Sequence, residues 1–111
     1  MYLPKKDVYE SLLTLGYSVE QAQPETFTNI PAIIFRCENN NVELDLDGNI
    51  CSQDIEITID IWGDGSAEAS QVLSEVEEVM RSNYYTMTYS SDVPNSGNLH
   101  HILSRFAKVK N

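Results

Sequence analysis

Asp54-Ile55-Glu56-Ile57-Thr58-Ile59-Asp60-Ile61-Trp62 is the stretch on which the fold turns. Successive side chains of a β-strand point to opposite faces. Ile55, Ile57, Ile59 and Ile61 therefore share one face, and Glu56, Thr58, Asp60 and Trp62 take the other. A row of β-branched residues needs a hydrophobic cover, and the sequence supplies one at once. Gly63-Asp64-Gly65 ends the strand, Ser66 is placed to cap a helix, and Glu68 suits its first turn. That helix is expected to run to about Arg81. Its apolar stripe is Ala69, Val72, Leu73, Val76, Val79 and Met80, with Glu77 and Arg81 as an exposed pair one turn apart.

Upstream, Pro31 leads into a short apolar strand, Ala32 to Cys37. Asn39-Asn40-Asn41 reads as a turn. Val42-Glu43-Leu44-Asp45-Leu46 alternates apolar and acidic residues, as a half-buried strand does, and Asp47-Gly48-Asn49 turns the chain again. At the N-terminus, Pro4 to about Leu15 has Val8, Leu12 and Leu15 on one helical face, and Gly16 is placed to stop the helix. Tyr17 to Ile30 reads as an irregular crossing segment. Two further strands, about Tyr84–Ser90 and Leu99–Val109, flank the loop Ser91–Asn98. The expected fold is α+β: an antiparallel sheet with two helices on one face, in the order α-β-β-β-α-β-β. The 111 residues suit a single domain, 1–111.

Charge narrows the function classes. The formal net charge is −10 at pH 7. Between Arg36 and Arg81 there is no Lys or Arg, while twelve Asp and Glu residues fall in that window. Gripping nucleic acid depends on a basic surface, which this is not. No run reaches the roughly 18–20 apolar residues of a membrane span, and the N-terminus lacks the apolar core of a secretory signal. The expectation is a soluble, intracellular protein with Cys37 and Cys51 as reduced thiols.

No residue constellation spells out a catalyst. The acids from Glu43 to Asp60 lack the Lys that metal-dependent phosphoryl chemistry usually adds. Asp45, Asp47, Asn49 and Glu56 have the spacing of a calcium loop, but Ile50 stands where its glycine is required. His100 and His101, adjacent on a strand, point to opposite faces and cannot easily share one ion. Gly63-Asp64-Gly65 supplies no Lys for a phosphate loop. No catalytic residue, metal site or cofactor is expected. Trp62, on the outer face of its strand, is either packed beneath a loop or an anchor for a protein interface; Asp92, Val93, Pro94 and Asn95 are further interface candidates, in a loop long enough to act as an arm.

The order of features from Pro31 to Arg81 resembles the tail-completion (head–tail joining) proteins of long-tailed bacteriophages and prophages. It comprises a Pro-entered apolar strand, an acidic alternating strand, Ile57-Thr58-Ile59-Asp60-Ile61-Trp62-Gly63, a Ser-Ala-Glu-Ala opening and an amphipathic helix ending Val79-Met80-Arg81. The first helix with Leu15-Gly16-Tyr17, and the last strand through His101 and Phe106, extend the similarity. The resemblance implies a structural role, joining the tail tube protein to the head connector or stopper protein, as a homo-hexameric ring. It implies no enzyme activity and no cofactor. It also implies a place at the head–tail interface of the virion, reached from the bacterial cytoplasm. In such a ring Glu43, Asp45, Glu56 and Asp60 are candidates for an acidic surface facing the channel, which would keep DNA phosphates from adhering; the alternative is an acidic outer surface that only aids solubility. The rival from another class is a small ligand-binding or regulatory module, since helix-backed sheets host many functions. A magnesium-dependent enzyme using the acidic cluster ranks last.

Overall fold

Pro4 opens α1 (Pro4–Leu13), whose buried residues Pro4, Val8 and Leu12 form one stripe. Gly16, with φ +84°, follows the helix and takes the left-handed turn that leads the chain away. The strands are β1 (Ser18–Glu20), β2 (Ala32–Leu44), β3 (Ile50–Gly63), β4 (Thr86–Val93) and β5 (His100–Lys110), with α2 (Ser66–Ser82) between β3 and β4. This computed structural model describes residues 1–21, 29–94 and 97–111. The element order α-β-β-β-α-β-β is the expected one, and the fold is α+β. The sheet runs β1-β2-β3-β5-β4. It is antiparallel except for the short β1, which pairs with Ala32–Ile34 of β2 in parallel.

The three strands before α2 are divided differently from the sequence expectation. Ala32–Cys37 and Val42–Leu46 are not separate strands around an Asn39-Asn40-Asn41 turn. They belong to one strand of 13 residues, β2, paired with β3 along its length. A β-bulge at Glu38 lies between Cys37 and Asn39 in the register. One extra residue reverses the parity of the alternation. Cys37 opposes Ile57, and beyond the bulge Asn40 opposes Ile55 and Val42 opposes Gln53. The bulge thus returns Val42 and Leu44 to the face of the isoleucines. The third strand, β1, lies inside the stretch read as irregular; residues 22–28 of that stretch lie outside the described residues.

The core is the expected one. Ile55, Ile57, Ile59 and Ile61 pack in one cluster with Val72, Val76 and Met80 of α2 and Val8 and Leu12 of α1. Gly63 permits the tight passage from β3 to α2, because a Cβ there would meet the Ala69 backbone nitrogen at 3.0 Å. The cap of α2 differs from expectation: Gly65 is the N-cap, and Ser66 is the first helical residue. Glu68 satisfies the helix start instead, accepting the Asp64 backbone N–H at 3.1 Å.

The N-terminus is tied to the sheet. The Tyr2 backbone N–H donates to Gln53 Oε1 at 3.1 Å, and Gln53 Nε2 donates back to the Tyr2 carbonyl and to Asn40 Oδ1. The Tyr2 hydroxyl donates to Asp7 and lies 3.0 Å from the Tyr85 hydroxyl. Lys108 sits 4.3 Å from the Tyr2 ring centroid and donates to the Asn83 carbonyl at 2.9 Å. Burial, then the bond to Asp7, pushes the Tyr2 phenol far up. Burial pushes Tyr85 up to about 12.

Two outcomes follow for stability. Replacing Ile59 with Ala should cost about 2–5 kcal/mol in denaturant unfolding, through lost transfer energy plus a cavity. The raised phenols bind their protons more tightly when folded, so their contribution is complete below the ordinary value of 10 and falls as pH rises through about 12. Alkaline titration followed by phenolate absorbance should show late-titrating tyrosines that ionise together with unfolding. Tyr85→Phe should weaken that alkaline loss.

Candidate functional site

The register assembles the outer face of the sheet, away from the helices. Asp60 stands opposite Ile34 on β2 and Leu103 on β5; Trp62 stands opposite Ala32 and His101. Here the sequence expectation needs its largest correction. Asp60 is 1% exposed, so it is not part of an acidic surface. Its carboxylate accepts from Arg36 Nη1 at 2.6 Å and from His101 Nε2 at 2.7 Å. The His101 ring stacks on Trp62, with centroids 3.9 Å apart and planes 12° from parallel. Trp62 is 8% exposed and forms a small cluster with Ala32 and Ile34, against which Leu99 packs. It is packed too deeply to anchor a partner.

A buried carboxylate needs partners of this kind to be retained. Carboxylate and imidazole together can orient a base, but acyl transfer would also need a hydroxyl or thiol beside the ring. Ser104 lies on the isoleucine face and donates to the Ile59 carbonyl, and the Ser91 hydroxyl donates to the Asp92 carbonyl. The cluster therefore acts as a polar staple joining β2, β3 and β5. A sequence signal for it existed: an Asp in the middle of the most apolar strand must find a cation or a donor.

The remaining acidic candidates separate as well. Glu43 and Glu56 are exposed on the outer face, opposite Ser52 and Asn39, so no like charges oppose each other there. Asp45 lies in the hairpin turn, where its Oδ1 accepts the backbone N–H groups of Asp47 and Asn49 at 2.9 Å. Asp45 and Asp60 thus serve local structure, and of the four only Glu43 and Glu56 remain exposed on the outer face. Of the loop candidates, Asp92 and Val93 end β4 rather than lying in a loop, with Asp92 bonded to His100 at 2.7 Å. Val93 opposes His101. Pro94 is exposed, and Asn95 lies outside the described residues.

The feature that sequence reasoning missed is an arm. β5 supports β3 only as far as Gln53, and β1 supports β2 only from Ala32 to Ile34. Beyond those points β2 and β3 continue as a two-stranded hairpin, closed by a turn with Gly48 at φ +83°. The molecule is accordingly long, 54 × 25 × 22 Å. Along the arm, the row of isoleucines continues as Val42, Leu44 and Ile50, with no described helix over them. They are 40%, 61% and 42% exposed, and Leu46 at the tip is fully so. The alternation assigned Val42 and Leu44 to the correct face; alternation carries no information about whether that face is covered.

An open groove of about 490 Å³ crosses the outer face between Glu38, Glu56, Thr58, Tyr89 and Arg105, with the Arg105 guanidinium 5.3 Å from the Tyr89 ring centroid. Among the described residues, no group of three or more His, Cys, Asp or Glu is placed to hold a metal ion. No described helix is long and apolar enough to cross a membrane. No protein-family model and no curated protein matches the sequence.

The two ion pairs of Arg36 should differ in weight. Arg36→Met strips a charge-assisted bond from a buried carboxylate and should lower unfolding stability by about 1–3 kcal/mol. Glu38→Gln removes the Arg36–Glu38 pair, whose side chains are 35% and 45% exposed, and should change stability by less than about 1 kcal/mol. Equal losses in denaturant titrations would contradict the assignment of Asp60 as the member that matters.

Proposed function

We propose that this protein is a structural joining component of a long-tailed bacteriophage or prophage particle, linking the tail tube to the head connector in a ring of like copies. The arm is the observation that carries this reading. An apolar row that continues past its own helices gains most when another chain covers it, which suits an assembly part. The order of features from Pro31 to Arg81 supports the same assignment. In such a ring the exposed Glu43 and Glu56 would contribute to the acidic surface near the passing genome. The protein would act without a cofactor, at the head–tail junction, after assembly in the bacterial cytoplasm.

The outer-face groove favours one other reading, a small ligand-binding or regulatory module. Its Glu38, Glu56 and Arg105 would offer both charge signs to a zwitterionic ligand. Such a module would show saturable heat on titration with amino acids, lost in Glu56→Gln. The joining role is tested by deleting the gene from an inducible lysogen and imaging the lysate by electron microscopy. Filled heads and separate, unjoined tails are the expected result; intact particles would overturn the reading.

A further inference from the structure

We propose that the β2–β3 arm docks by accepting an extended strand from a different protein, one that alternates apolar and basic residues. This names the partner chemistry of the arm, and so rests on the reading of the arm as an assembly surface. Three observations fix the kind of partner. From Phe35 to Leu44 no described strand pairs with the edge of β2 that faces away from β3. Its backbone N–H and C=O groups are therefore a template for another strand. On one face of this template lie Val42 and Leu44, with Ile50 across the hairpin; on the other lie Asn41 and Glu43, with Asp54 and Glu56 behind them on β3. A strand added beside β2 would place alternate side chains next to each row. Apolar ones would cover Val42 and Leu44, and their neighbours would stand beside Glu43.

Charge decides what those neighbours are. Beyond the Arg36–Glu38 pair the arm carries Glu43, Asp45, Asp47, Asp54 and Glu56, and no Lys or Arg lies between Arg36 and Arg81. Two arms of this chain laid together would oppose the carboxylates of Glu43 and Asp54 with no Lys or Arg on the distal hairpin to relieve them, at a net charge of −10 per copy. A basic strand has the complementary pattern, and steering by opposite charge would speed its encounter. The occupant is therefore a foreign strand with Lys or Arg at alternate positions, rather than a second arm.

The full-length chain can be titrated with short synthetic peptides alternating Val with Lys, or Val with Glu, and followed by amide NMR shifts. The Val–Lys peptide should perturb Phe35 to Gln53, bind at least about tenfold more tightly than Val–Glu, and weaken with added salt. Leu44→Asp should abolish binding while leaving the unfolding midpoint unchanged, because Leu44 lies outside the core. A chain carrying Glu43→Lys with Asp54→Lys should reverse the preference and take the Val–Glu peptide. That reversal separates strand docking from a loss of fold. Equal binding of both peptides, shifts centred away from the arm, or no binding would each overturn the proposal. So would sedimentation showing a dimer that Leu44→Asp dissolves, since the occupant would then be a second copy. The lysogen deletion reads the joining role independently. Unjoined heads and tails with an arm indifferent to the Val–Lys peptide would retain that role and discard this partner.

Discussion

β3 lies at the centre of the sheet, and both of its faces must be kept from water by different means. Toward the helices it presents Ile55, Ile57, Ile59 and Ile61, each no more than 1% exposed. Burial of side chains of this size contributes about 1.5–3 kcal/mol each, so this row is a substantial part of what holds the fold. Away from the helices it presents Thr58, Asp60 and Trp62, also buried. That second face excludes water only because Asp60 finds Arg36 and His101, one on each neighbouring strand. If the aspartate lost both, a bare charge would sit in the middle of the strand on which the isoleucines depend. The polar staple and the apolar core are therefore conditions on the same strand.

This constraint also explains where the arm starts. Helix α2 begins directly after β3, and Gly63 lets it fold back against the strand. Helix α1 is held at the other end by the Tyr2–Gln53 bonds. Gln53 is the last residue of β3 toward the turn that is buried, and it is also where β5 stops supporting the strand. Beyond it, cover and lateral pairing end together. The arm is thus the part of a long hairpin that exceeds its own domain, and its apolar face is the continuation of the core.

Much of the fold was legible because it rests on periodicity. The alternation of β3, the stripe of α2 and the glycines that bound them are local signals, and each marks its element correctly. The misread division of β2 has one cause. Cys37 and Val42 are five residues apart yet share a face, which an unbroken alternation forbids; the Asn run between them looked like the turn that would reconcile the two. A single bulge reconciles them instead, and a bulge leaves a weaker trace in sequence than a turn. The candidate site was less legible, because exposure depends on partners distant in sequence. Asp60 and Trp62 looked outward by alternation, and His101, 41 residues after Asp60, is what makes them interior. Conversely, Leu44 looked inward and lies exposed, because no described helix or strand that follows β3 in the chain reaches it.

An exposed strand edge beside an apolar row is ordinarily an aggregation hazard. The arm carries its own safeguard in the carboxylates that alternate with the apolar residues. Copies that approach arm to arm bring Glu43 and Asp54 toward their counterparts, and the repulsion acts at the same residues that would otherwise pair. The same charges cannot repel a basic strand. One set of side chains therefore both discourages self-association and selects a complementary partner, which is how specificity differs from mere stickiness. The run from Cys37 to Met80 without a single cation has a physical sense on this account. A lysine near the tip would give a second arm something to hold, and the barrier against self-pairing would fall.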